Sequence, residues 1–269
     1  MKSQNLSKET PRAFDVFGNI ALVKFPPDFK LKDKKKYAQD LLKKNSYIKT
    51  ILEKTGKFKG RLRKQETKYL AGEKTKEILH KENNCIFRFN IDTTYFSPRL
   101  SNERKEIANF VKKNERVLVM FAGVAPYPIV IAKHSASKEI YSNELNREAN
   151  KYAKLNIELN KVKDRVFLLP GDIKRVTKNL LDKKENFDVI VMPRPQLKDS
   201  FLKEAFSLSK KGTRIFYYDF CKREEFDSVL KKIKTESENS NKKIKILGLK
   251  KAGEIAPYRF RVRVDFKIL

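Results

Sequence analysis

The stretch Val117–Tyr127, VLVMFAGVAPY, constrains this chain more than any other. Its first half is an uninterrupted apolar run, the pattern of a strand covered on both faces. Its second half breaks at Gly123 among small residues, where backbone can approach a ligand closely. About twenty residues later, Ile140-Tyr141-Ser142-Asn143-Glu144 forms a second such run, closed by an acid. A buried strand, a tight turn, a helix and an acid ending the next strand form a known arrangement. With it a doubly wound α/β sheet holds an adenosine ligand, the acid accepting hydrogen bonds from the ribose hydroxyls.

The chain beyond Glu103 continues this alternation. Helical spacing is expected over 104–112, 128–133, 147–160, 176–181, 199–209 and 224–234. Apolar runs at 117–121, 139–142, 166–169, 188–192, 213–219, 244–247 and 259–268 read as strands. Lys210-Lys211-Gly212 is expected to stop the fifth of these helices. Thr235–Lys243 is expected to be a polar loop. Strand alternating with helix predicts an α/β fold with a doubly wound sheet. The ending of helix, strand, strand departs from a nicotinamide-binding domain and predicts a seven-stranded variant whose last strand returns antiparallel.

The first third has another character. Phe14–Phe25 reads as strand, turn, strand around Gly18-Asn19. Asp33–Asn45 has helical spacing, and short β-like runs follow at 48–52, 58–63, 67–70 and 85–91. The expectation is two domains, a small α+β module over 1–112 and the ligand-binding sheet over 113–269.

Charge bears on the partner. The chain of 269 residues carries a formal net charge of +29, with 35% charged residues. Such an excess predicts attraction to a polyanion, nucleic acid above all, although a lysine-rich proteome is a rival cause. The lysines are spread along the chain and do not mark a site by themselves. Two cysteines, Cys85 and Cys221, lie far apart with no cluster of metal ligands, so neither a disulfide framework nor a metal site is expected. No apolar run approaches the roughly 18 residues of a membrane helix, and the first ten residues lack a signal-peptide core. A soluble cytoplasmic protein is expected.

Several residues could carry chemistry. Glu144 and Asp172, each ending a strand, belong at the carboxyl edge of the sheet, with exposed loop acids as the bland alternative. Met192-Pro193-Arg194-Pro195 ends the fourth strand, where two prolines either shape a pocket or simply stiffen a loop. Tyr95–Arg104, YFSPRLSNER, sets an aromatic beside cations, which suits base stacking and phosphate contact. Within it Glu103 is either a general base or an acid favoured at a helix start. His80 and His134 have no obvious partners in the sequence and are not expected to be catalytic.

With these residues in view, the chain resembles the tRNA (guanine-37-N1)-methyltransferases of archaea and eukaryotes. The resemblance runs from about Phe14 to the end in ordered segments. They include FDVFGNIALVKF, GRLRKQETKYLAGE, ILHKENNCIFRFNI, YFSPRLSNERKEIA, SNELNREANKYAKLNIELNKV, LPGDIKRV and IAPYRFRVRVDFKI. It implies a class I methyltransferase sheet, S-adenosylmethionine as cofactor and tRNA as substrate, engaged at the anticodon arm, with tRNA-Phe a favoured species. N1 of guanine is protonated and becomes nucleophilic only as that proton leaves, so the reaction needs a base and a cation for the charge developing on O6. By motif match, Glu103 takes the first role, Arg63 the second, and Tyr95 seats the flipped-out base. The same match implies a cofactor pocket of Phe121, Ala122, Gly123, Val124, Glu144, Asp172 and Met192.

The departures from the family pattern are specific. Val119 stands where an acid is usual, Ala125 where a second glycine is usual, Asn90 for Asp, and Pro193 where Asn is usual. Val119 and Pro193 are similar to an archaeal branch that also methylates C7 of 4-demethylwyosine, a three-ring base. Pro193, lacking an amide side chain, is expected to help admit it. Many archaeal relatives begin with an extra N-terminal domain, so this chain is expected to rely more on charge and the anticodon arm. Two other functions stay open at this point. One is an aminocarboxypropyl transferase of wyosine synthesis using the same cofactor; the other is a non-catalytic RNA-binding protein.

Overall fold

The computed structural model describes residue 11 and residues 14–56, 60, 62, 65–193 and 198–269. The chain divides into two compact units, one of the described residues up to Lys81 together with Phe87–Thr94, the other of Glu82–Ile86 and Tyr95–Leu269. Residues 95–112, grouped by sequence with the N-terminal module, count with the second unit.

In the first unit, β1 (Phe14–Phe17) and β2 (Ile20–Val23) form the hairpin that Gly18-Asn19 predicts, with Phe17 opposite Ile20. Gly18 has a φ of +54°, and a Cβ there would lie 2.1 Å from the Leu79 carbonyl oxygen, so only glycine fits. Helix α1 (Leu31–Lys44) turns Ala38 and Leu41 inward and leads to β3 (Thr50–Lys54), parallel to β2. β4 (Thr67–Gly72) closes a four-stranded sheet in the order β1-β2-β3-β4. Its core gathers Ala21, Val23, Phe25, Phe29, Ile51 and Leu70 against the helix. β5 (Glu77–Glu82) and β6 (Cys85–Asn90) pair as a separate ribbon. β5 was not foreseen, because EILHKE buries only Ile78 fully and so lacks a clear alternation. Most of the run expected at 58–63 lies outside the described residues.

The second unit is a seven-stranded sheet with helices. After α2 (Ser101–Phe110) come β7 (Arg116–Val119), α3 (Pro126–His134), β8 (Glu139–Glu144), α4 (Arg147–Leu159) and β9 (Val166–Pro170). Then follow α5 (Ile173–Asp182), β10 (Phe187–Met192), α6 (Leu202–Ser207), β11 (Ser209–Lys222), α7 (Phe226–Asn239), β12 (Ile244–Ala256) and β13 (Arg259–Ile268). The strand order is β12-β13-β11-β10-β7-β8-β9. β7 to β11 pair in parallel, whereas β13 is antiparallel to both β11 and β12, the returning strand expected from the sequence. Its core includes Leu118, Met120, Ile190, Met192, Phe206, Ile215, Tyr217, Val264 and Phe266.

Two boundaries differ from expectation. Lys210-Lys211-Gly212 does not stop a helix; it lies within β11, where Thr213 Oγ1 donates to the Phe187 carbonyl (2.6 Å) and accepts from Lys210 N (2.9 Å). Of the loop expected over Thr235–Lys243, residues 235–239 are instead the end of α7, with Ile233 and Ser237 buried, and only 240–243 are turn and loop. Among the described residues no helix is long and apolar enough to cross a membrane.

Candidate active site

The loop after β7 carries the feature on which the sequence reading rests. Phe121, Gly123 and Ala125 all have positive φ, at 59°, 60° and 65°. Two of these are not glycine, so tertiary contacts must hold them there against a cost of about 1–2 kcal/mol each. Those contacts are visible. Ala122 N donates to the Asn143 carbonyl (2.8 Å), Gly123 N donates to Glu144 Oε2 (2.8 Å), and Asn156 Nδ2 donates to the Val124 carbonyl (3.1 Å). Phe121 packs on Phe201 with ring centroids 5.0 Å apart. A Cβ on Gly123 would lie 3.4 Å from the Tyr95 carbonyl oxygen, ordinary contact distance, so the turn and the Tyr95 segment lie side by side. Helix α3 starts at Pro126 directly after the left-handed Ala125, with no side chain capping it.

Glu144 is more engaged than a free ribose acceptor would be. Besides Gly123 N on Oε2, its Oε1 accepts from Asn146 N at 2.7 Å. Burial pushes its carboxyl above the usual value, and these backbone donors counter that. The Leu145 backbone is a third such donor, and a carboxylate has about four acceptor positions, which leaves room for a hydroxyl donor. Asp172 caps α5 by accepting from Lys174 N (2.9 Å) and stands half-buried beside Gly171, whose N–H donates to the Glu144 carbonyl (2.8 Å). Asn143 completes this edge of the sheet by donating to the Leu169 and Gly171 carbonyls (2.8 and 3.0 Å). The edge thus combines close-approach backbone, two carboxylates and small side chains, a set that fits an adenosine ligand.

Met192, expected in the pocket, ends β10 with its side chain buried in the core cluster against which Phe121 of the turn packs. Pro193 follows it half-buried, while Arg194 and Pro195 lie outside the described residues. Arg63 also lies outside them.

Glu103 sits on the inward face of α2 and is buried. Its Oε2 accepts from Tyr218 OH and from Arg263 Nη1, both at 2.9 Å, and its Oε1 meets Lys250 Nζ at 2.5 Å. Arg263 also donates to Glu106 (2.8 Å) and to both oxygens of Asp265 (2.7 and 2.8 Å), and Lys250 bonds Glu106 as well. Burial opposes the charge on Lys250, but its bonds to Glu103 and Glu106 hold its ammonium above the usual range. Burial pushes the Tyr218 phenol well above its usual value, and that of Tyr127, edge-on to it at 6.1 Å, up to about 12. Glu103 thus stands in the first turn of α2, as a helix-start acid would, and is also buried and held by three partners from the sheet.

Tyr95 is partly buried, and Arg261 Nη2 donates to its hydroxyl at 3.4 Å. The neighbouring Arg104, almost wholly buried, pairs with Glu82 (2.5 and 2.6 Å) and lies over the Phe96 ring. His134 proves partnered, through Lys105 Nζ and the Asn83 carbonyl, both at 2.6 Å, which marks it as structural.

Sequence reasoning missed Tyr218, Lys250 and Arg263. One signal existed. In Arg259–Ile268 charged residues alternate with apolar ones, which reads as a half-exposed strand. Arg263 is instead 2% exposed, because α2 covers that face of the sheet. Among the described residues no cluster of potential metal ligands occurs.

Comparison with known proteins agrees with this geometry. Residues 78–247 match the family described as the TRM5/TYW2 methyltransferase domain, and residues 2–75 match the TYW2 N-terminal domain. The chain is 34% identical to tRNA (guanine(37)-N(1))/4-demethylwyosine(37)-methyltransferase Taw22 of Nanoarchaeum equitans, over 96% of this chain and all of that protein. The crystal structure of Trm5b from Pyrococcus abyssi superposes with a TM-score of 0.84 at 30% identity, covering 96% of this chain and 75% of that one. A solved complex of aTrm5 with tRNALeu gives the same TM-score at 28% identity, covering 96% and 72%. The strand order, the strained glycine turn, the two edge carboxylates and this full-length similarity together mean that the chain belongs to the TRM5/TYW2 family of methyltransferases.

Proposed function

We propose that this enzyme methylates position 37 of tRNA from S-adenosylmethionine, at N1 of guanosine and at C7 of 4-demethylwyosine. Full-length similarity to a relative named for both reactions supports the dual specificity. The observation that carries the chemistry is the abutment of the Tyr95 segment, which leads into α2 and Glu103, on the Gly123 turn. Phe121 to Val124, Glu144 and Asp172 hold the cofactor, which supplies an electrophilic methyl group. Glu103 takes the proton from N1, and Tyr95 seats the base. The resemblance assigns to Arg63 the charge developing on O6. Pro193 follows β10 and contributes no hydrogen-bonding side chain, which favours a larger base. The substrate is read as the anticodon arm, with tRNA-Phe the natural source of the tricyclic base, and the cytoplasm as the compartment.

The test is mass spectrometry of nucleosides from tRNA-Phe incubated with enzyme and cofactor, with guanosine or 4-demethylwyosine at position 37. Both methylated products are expected, and Pro193→Asn is expected to shift the ratio toward N1-methylguanosine. An unchanged ratio would remove Pro193 from the specificity argument. Label placed in either the methyl or the carboxypropyl group of the cofactor separates methylation from aminocarboxypropyl transfer.

A further inference from the structure

Tyr218, Arg263 and Lys250 lie on one rung of the sheet. Tyr218 of β11 is opposite Arg263 of β13, which is opposite Lys250 of β12. Side chains of residues directly opposite share a face, so all three are presented together to Glu103 on α2. The two oxygens of Glu103 are held very differently. Oε2 is fixed between Tyr218 and Arg263, which are 1% and 2% exposed. Oε1 faces Lys250, whose side chain is 37% exposed and which already bonds a second carboxylate, Glu106. A hydrogen bond from an ammonium lowers the basicity of a carboxylate oxygen, so Oε1 takes a proton more readily as that donor turns away.

We propose that Lys250 is a positioning residue for the proton acceptor, yielding Oε1 of Glu103 to the proton leaving N1 while keeping its bond to Glu106. This rests on the reading of Glu103 as the base. As the N1–H bond breaks, the proton forms a bond to Oε1 and the electron pair left on nitrogen would take the methyl group, the donor's carbon–sulfur bond breaking with its electrons leaving on sulfur. The formal charges suit the step. Glu103, Glu106 and Asp265 face Arg263 and Lys250, three negative charges against two positive, so one proton neutralises the cluster. Tyr218 of β11 and Tyr127 of α3 stay neutral in the working range because burial raises both phenols, and Arg104 and Arg261, which also face Tyr127, keep their charge throughout it.

Altering the cluster charge therefore shifts the acidic limb of the pH–rate profile in opposite directions. Lys250→Met leaves Glu103 in a more negative setting and moves the limb to higher pH, with the rate on the limb falling about tenfold. Glu106→Gln removes a negative charge and moves the limb to lower pH. Lys250→Arg keeps the charge and is expected to restore the limb of the parent enzyme, which also serves if Lys250→Met fails to fold. The measurement is single-turnover methylation of a guanosine-37 transcript by the full chain, with cofactor and tRNA dissociation constants measured alongside. Limbs that do not move, or a rise in the tRNA dissociation constant alone, would overturn the proposal and make Lys250 a phosphate contact. Glu103→Gln separates the two levels. Its inactivity beside unmoved limbs sinks only the role of Lys250, whereas retained activity sinks the base itself.

Discussion

At the scale of single residues, charge in this fold is held by partners distant in sequence. Arg116, at the start of β7, donates to Glu139 (2.8 Å), Tyr141 (3.2 Å), Glu185 (2.6 Å) and the Asn186 carbonyl (3.1 Å). Its bond to Glu139 holds that carboxyl below the usual value of 4.5, against the opposing effect of burial. A carboxylate depressed in the folded state contributes stability that is present above 4.5 and lost as pH falls toward its lowered value. Glu139→Gln is therefore expected to lower the urea midpoint at neutral pH and to flatten its fall with acid. A parallel fall in both proteins would remove Glu139 from the account. The residues bearing local signatures were legible in the sequence. Gly123 lies between small neighbours, Glu144 ends its strand, and Glu103 opens α2. Lys250 and Arg263 were not, because charge in an alternating strand looks the same whether water or a helix covers it.

At the scale of elements, the glycine turn after β7 is supported from outside itself. Asn156, buried on α4, donates to the Val124 carbonyl, and Asn160 at the end of the same helix exchanges hydrogen bonds with the Ile86 backbone (2.9 and 2.6 Å). α4 was read from its periodicity alone, as a helix with one apolar face. That pattern gives no hint that its two asparagines serve as backbone clamps. Asn156→Ala leaves the buried Val124 carbonyl without this donor, at a cost of about 1–3 kcal/mol. A lower thermal midpoint with weaker cofactor binding is expected by calorimetry, and unchanged cofactor affinity would separate the clamp from the pocket. β12 and α7 both run longer than their apolar patterns. β12 gains its extent from pairing with β13 from Ile244 to Ala256, and α7 runs on beneath Ser237.

At the scale of the whole molecule, the net charge of +29 favours association with a polyanion such as tRNA. Lysines spread along the chain suit backbone contacts that release counterions without reading sequence. The affinity for tRNA is expected to fall roughly a thousandfold between about 50 and about 200 mM salt, measured by filter binding. A flat titration would mean that neutral contacts dominate. The sequence by itself determined the α/β class, the returning last strand, the place of the glycine turn after β7 and the polyanionic partner. Each of these is written in local periodicity, turn residues or summed charge. Only the tertiary structure decided that Met192 serves the core, that Glu144 ties the turn together, and that Glu103 is clamped by Tyr218, Arg263 and Lys250. These depend on strand order and on which helix covers which face; the Glu144 tie spans 21 positions, and the clamp on Glu103 joins residues more than a hundred positions apart.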